Sequence, residues 1–151
     1  MQRVELYVVL VAGLMSLAVA RAGSAPNDLQ IIVGSGPLAG TYRAPPTEVI
    51  CLHSRKQQVY SAAWKSFTPT SGRQLAEAGI EVSRPDDPGA KLGNIRIAFG
   101  DPDHNPVVYE ISRQSLTLTM KGKTADISLD GKTKSGIRIQ VTAACREVEE
   151  L

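Results

Sequence analysis

Large aromatic side chains are scarce in this chain, with one Trp, two Phe and four Tyr among 151 residues. Histidine is scarcer still. His53 and His104 are the only two, which limits metal ligation and acid–base chemistry alike, since imidazole is the common agent of both. Neither charge is in excess: 17 Lys and Arg stand against 15 Asp and Glu, a net charge of +2. That is too little to build the clustered positive field that collects nucleic acid or an anionic membrane, so nucleic acid is not an expected partner. Heptads, internal repeats and low-complexity tracts are absent, as are a Gly-x-Ser-x-Gly elbow and a CxxC pair. What the chain has instead is thirteen Gly and nine Pro, a composition that favours short strands and many turns over a helical bundle.

The single long apolar run, Leu6 to Val19, is about 15 residues, short of the ~20 a helix needs to cross the hydrocarbon core. Arg3 precedes it, and Ala20-Arg21-Ala22 follows with small residues where a signal peptidase requires them. Cleavage after Ala22 is expected; a second small-x-small site ends at Ala25 but would leave Pro26 just after the cut. Residues 1–22 therefore read as a signal peptide and residues 23–151 as one domain, secreted or periplasmic, with no stable membrane span after cleavage. The alternative is a retained anchor. No Cys stands directly after the apolar run, at the expected cleavage site, so the lipid anchor of bacterial lipoproteins is not expected.

Both cysteines, Cys51 and Cys145, lie beyond the leader. In an oxidising compartment an even count without CxxC spacing reads as one structural disulfide, which in the chain-entropy treatment contributes roughly 4 kcal/mol for a loop of about 95 residues. From Leu92 onward the pattern alternates with the period of two that marks half-buried strands. Ile95, Ile97 and Phe99 share a face, as do Leu116, Leu118 and Met120, then Ala125, Ile127 and Leu129, and last Ile137, Ile139, Val141, Ala143 and Cys145. Gly122-Lys123 and Asp130-Gly131 supply the turns of a three-stranded meander. Earlier, Asp28 to Val33, Thr41 to Arg43, Glu48 to His53 and Val59 to Phe67 read as strands. Cys51 then faces inward and His53 is expected on the solvent side. Ser71 to Glu81 reads as a short helix ended by Gly79. Eight or nine short strands separated by turn signals predict an all-β fold, an antiparallel β-sandwich of immunoglobulin-like or flattened-barrel form closed by one disulfide.

The loop Asp101-Pro102-Asp103-His104-Asn105-Pro106 is the densest set of candidate ligands. Asp101, Asp103 and Asn105 mimic the alternate oxygens at the start of a calcium loop, but the sixth position is Pro106 and the twelfth Ser112, so an EF-hand is excluded. The competing reading is a polar loop whose side chains satisfy their own backbone. Zinc would need both histidines with Asp101 or Asp103 and Glu48, and no spacing shows that they meet. Glu77, Glu81 and Glu110 supply carboxylates without a glycosidase frame. Tyr60 and Trp64 share a strand face and either form a platform for a sugar or a partner or, the commoner role, fill the core. Lys121, Lys123, Lys132 and Lys134 surround the meander, where lysines oppose edge-to-edge pairing. No cofactor and no catalytic residue is expected.

Gly34 to Tyr42 (GSGPLAGTY), a cysteine strand soon after it, and a closing strand ending in Cys145 (GIRIQVTAAC) resemble small bacterial exported antigens, in particular the mycobacterial lipoprotein antigen family. The lipidated cysteine of that family is missing here. The resemblance implies a bacterial exported β-sandwich and carries over no catalytic residue. The leading reading is a non-enzymatic binding or interaction module of the bacterial envelope whose partner is a protein, a glycan or a small apolar ligand. A carrier with an apolar cavity between the sheets stands second, and a small metal-dependent hydrolase centred on His104 and Asp103 third.

Overall fold

The computed structural model describes residues 26–68 and 70–151. The expected signal peptide and its cleavage site lie outside these residues. Ten strands follow in order: β1 (Asp28–Val33), β2 (Gly40–Arg43), β3 (Ile50–Ser54), β4 (Val59–Lys65), β5 (Leu75–Ser83), β6 (Lys91–Phe99), β7 (Val107–Lys121), β8 (Thr124–Lys132), β9 (Arg138–Cys145) and β10 (Glu149–Glu150). A single 3₁₀ turn at Pro46–Glu48 leads into β3. The fold is all-β, as the alternation implies.

The strands make one sheet in the order β10-β3-β4-β5-β6-β7-β8-β9-β1-β2, curled into a half-barrel. This is the flattened-barrel form of the expected architecture, built from one continuous sheet. Every pairing is antiparallel except β10 with β3. Curling is enforced by the chain itself. Only residues 146–148 separate β9 from β10, at most ~3.5 Å of reach per residue, yet β10 lies against β3 at the opposite end of the ladder. The Cys51–Cys145 disulfide spans the same seam, with the two Cα atoms 6.0 Å apart. Asn27 closes it further. Its Nδ2 donates to the Val49 carbonyl at 3.0 Å, and its Oδ1 accepts from the amides of Arg146 at 2.8 Å and Glu147 at 3.2 Å.

Inside the curl the alternate residues of facing strands meet in one contiguous core that includes Leu29, Ile31, Ile80, Val82, Ile97, Phe99, Ile127 and Val141. Tyr42 reaches in from β2 to pack edge-on against Phe99, centroids 4.7 Å apart. Three sequence expectations change. Ser71 to Glu81 forms no helix: Ala76, Ala78, Ile80 and Val82 are buried alternately along β5, so a period-2 apolar face outweighs the weak helix propensity of Leu75 to Ala78. Asp130-Gly131 lies within β8; the turn is set by Gly136, whose φ of +85° suits glycine, while Gly131 leaves room for the Gln114 side chain. Arg113 is an extra residue in β7, and this bulge moves the inward positions from Tyr109 and Ile111 to Gln114, Leu116 and Leu118. Met120, at the tip of the β7–β8 hairpin, is exposed.

Candidate functional site

The sequence candidates fall in separate places. The loop Asp101–Pro106 connects β6 to β7 and uses its oxygens on itself. Asp101 Oδ1 accepts from the Asp103 amide at 2.9 Å and Oδ2 lies 2.8 Å from His104 Nδ1. The Asp103 amide first, and then His104, hold the Asp101 carboxyl below its ordinary range. Asn105 takes a left-handed conformation at φ +54°, which Asn tolerates better than most residues. Among the described residues no group of three or more His, Cys, Asp or Glu is arranged to hold a metal ion. Tyr60 and Trp64 point inward, 1 % and 8 % exposed. Trp64 Nε1 donates to Glu48 Oε2 at 2.7 Å, which ties the linker before β3 to β4.

His53 corrects the expectation of a solvent-side residue. It is 4 % exposed, on the same face as Cys51, as a spacing of two dictates. Its Nδ1 lies 3.0 Å from Glu150 Oε1 and its Nε2 3.0 Å from Asp86 Oδ2. Burial lowers its pKa, but the two carboxylates outweigh burial and raise it. Carboxylates at both nitrogens favour the imidazolium, a form with no lone pair to act as a base. It is a clasp joining β3, the β5–β6 turn and β10. The neighbouring Tyr60 ring is 5.8 Å away. Its hydroxyl is buried without a hydrogen-bond partner among the described residues, and burial pushes its pKa up.

One concave stretch lies on the outer face of β3 to β7. Register places Ile50, Ala63, Gly79, Arg96 and Glu110 in one row across the strands, and Leu52, Ser61, Glu81 and Asn94 in the next. Because Ser61, Ala63 and Gly79 are small, the middle of the face is a trough. At one end an apolar depression of about 280 Å³ is bounded by Ile50, Leu52 and Phe67; Ile50 is 56 % and Phe67 98 % exposed. It shares Ser61, Ala63 and Gly79 with a central depression bordered by Arg96 and Glu110. Arg96 is neutralised there, 3.4 Å from Glu77 and bonded to Glu110.

Asn94 connects the centre to a third depression of about 580 Å³ at the far ends of β5, β6 and β7, lined by Ser83, Arg84, Asp87, Pro88, Ala90, Leu92, Asn94 and Arg113. Arg84 and Arg113 both have left-handed backbones, at φ +50° and +55°. The Arg84 amide donates to the Gln58 carbonyl at 2.8 Å, and the Arg113 amide to Asn94 Oδ1 at 2.9 Å. The trough thus runs from an apolar end, through a centre where the carboxylates of Glu77, Glu81 and Glu110 outnumber Arg96, to a cationic end, and Gly79 and Arg84 stand roughly 16 Å apart at ~3.3 Å per strand residue. Of these residues the sequence singles out Glu77, Glu81 and Glu110 as candidate carboxylates, but not Ile50, Arg84, Asn94 or Arg113. The outward positions of β3 to β5 could have been found from the alternation once β5 was read as a strand; the bulge at Arg113 leaves no local signal.

The chain is, by fold and surface, a disulfide-closed β half-barrel with a graded groove on its outer face. Comparison with protein-family models, curated proteins and solved structures finds no match for it. Among the described residues, no helix is long and apolar enough to cross a membrane.

Proposed function

We propose that this protein is an exported, non-enzymatic binding module of the bacterial envelope, and that it holds an extended segment of a partner protein in the trough on the outer face of β3 to β7. Export rests on the leader pattern and is supported by the disulfide, which belongs to an oxidising compartment. The observation that carries the binding role is where the surplus apolar surface lies. A carrier needs space between the walls of its curl, and here that space is taken by core side chains such as Leu29, Ile31, Ile97 and Phe99, all 0 % exposed. Ile50 and Phe67 stand instead on the outside, beside a floor kept low by small residues. An exposed apolar patch of this kind, rimmed by polar groups, marks an interaction surface. A hydrolase centred on His104 has less support, because the Asp101 carboxylate beside it is committed to its own loop.

The trough suits an extended peptide that places an apolar side chain against Ile50 and, about six residues along, an acidic group near Arg84. Random short peptides selected on the disulfide-bonded domain test this. Gly79→Val raises the trough floor; a Cβ at Gly79 meets only Ala63 Cβ at 3.7 Å, and Val favours a strand, so the fold is retained. Selected peptides should lose binding to Gly79→Val and to Phe67→Ser while both variants keep the native melting temperature. Peptides that bind native and variant domains equally, or none retained at all, would overturn the proposal.

A further inference from the structure

We infer that the Arg84–Arg113 notch is an oxyanion site that takes one carboxylate or phosphate group. Ion pairing elsewhere on the surface provides the contrast. Arg43, Arg55, Arg96, Arg138 and Arg146 each have a carboxylate oxygen within 3.9 Å. Among the described residues Arg73, Arg84 and Arg113 have no such partner, and of these three Arg84 and Arg113 line the same concavity. Two guanidiniums that line one depression repel each other, and an anion bound between them relieves that repulsion. Guanidinium suits this task because its planar fork matches carboxylate and phosphate oxygens in pairs.

The remaining wall fits a small polar headgroup. Ser83 and Asn94 add side-chain hydrogen-bonding groups, and Leu92, Pro88 and Ala90 supply an apolar side. Asp87 also lines the notch. Its carboxylate offsets one guanidinium and leaves a single net positive charge, which selects one oxyanion over a polyanion. Both arginines have left-handed backbones, a conformation costly for a long side chain and easier for Asn or Gly. Arginine at these two positions is therefore not explained by backbone preference.

The inference deepens the proposed peptide role by naming the acidic group at the cationic end, but its test does not depend on a partner. The ¹⁵N-labelled, disulfide-bonded domain is titrated with sodium acetate and, separately, with inorganic phosphate, while sodium chloride holds the ionic strength constant. Saturable shifts of the Arg84, Arg113 and Asn94 resonances are expected in at least one titration, and the anion that saturates at lower concentration identifies the group. Arg84→Asn and Arg113→Asn suit the left-handed backbone and should each weaken binding at least fivefold without lowering the melting temperature. Gly79→Val and Phe67→Ser should leave anion binding unchanged even where they abolish peptide binding, which separates failure of the trough from failure of the notch. Shifts that grow linearly, that chloride reproduces, or that persist undiminished in both Asn variants would overturn the site.

Discussion

His53 shows how much one side chain can couple. Its ring meets Glu150 of β10 and Asp86 of the β5–β6 turn, and Arg55 approaches the same Glu150 carboxylate at 3.9 Å. Since the folded pKa is raised, the folded state binds this proton more tightly than the unfolded chain, whose histidine titrates near ~6.5. The stabilisation is then complete below about pH 6.5 and is lost as pH rises through the folded value. Urea unfolding at pH 6 and at pH 8.5 should show the native domain losing stability between them and His53→Gln losing less; equal losses would remove the clasp. The alternation that puts Cys51 inward also puts His53 inward, so burial was legible in the sequence. The carboxylate partners were not, because they come from positions 33 and 97 residues away, brought together only by the curl.

At the scale of strands, alternation located β1, β6, β8 and β9 well, since each has one buried and one solvated face. It failed where local chemistry was ambiguous. Leu75, Ala76 and Ala78 suit a helix in isolation, and only the ladder on both sides, with Gly79 opposite Ala63 and Arg96, makes β5 a strand. The bulge between β6 and β7 was equally hidden, and it is what turns Arg113 toward the notch. Gly93, beside that bulge, fits where no side chain can: an added Cβ would lie 2.2 Å from Leu116 Cδ2 and 2.9 Å from the Glu81 carbonyl. The second contact is with backbone and cannot rotate away. Gly93→Ala should therefore cost about 1–3 kcal/mol, the usual range for overpacking, whereas Gly79→Ala, with an ordinary 3.7 Å contact, should cost nothing measurable. Denaturant midpoints of the two variants, measured side by side, check this; equal midpoints would mean that β6 and β7 separate readily at the bulge.

For the molecule as a whole, stability turns on a seam. The pairing of Cys51 with Cys145 was legible from an even cysteine count and inward strand positions. That the two cysteines lie across an open edge of one curled sheet was not, because alternation tells a buried face from an exposed one and is silent on strand order. The same seam is held by Asn27 and by the amide of Val148, which donates to the Lys123 carbonyl at 3.0 Å. Removing the disulfide with Cys51→Ala and Cys145→Ala should cost up to roughly 4 kcal/mol. Asn27→Ala removes its bonds to Val49, Arg146 and Glu147, at about 0.5–1.5 kcal/mol, because the two amides are exposed and water replaces the lost acceptor. Neighbouring devices that close one gap are not independent. With the disulfide absent, the seam can open locally and those bonds are broken part of the time, so Asn27→Ala should cost less in the cysteine-free background than in the native one. A double-mutant cycle by urea unfolding measures that difference. Strict additivity would mean that the two sides of the seam stay closed without the bridge, and that β10, the β5–β6 turn and the core already define the curl of the sheet.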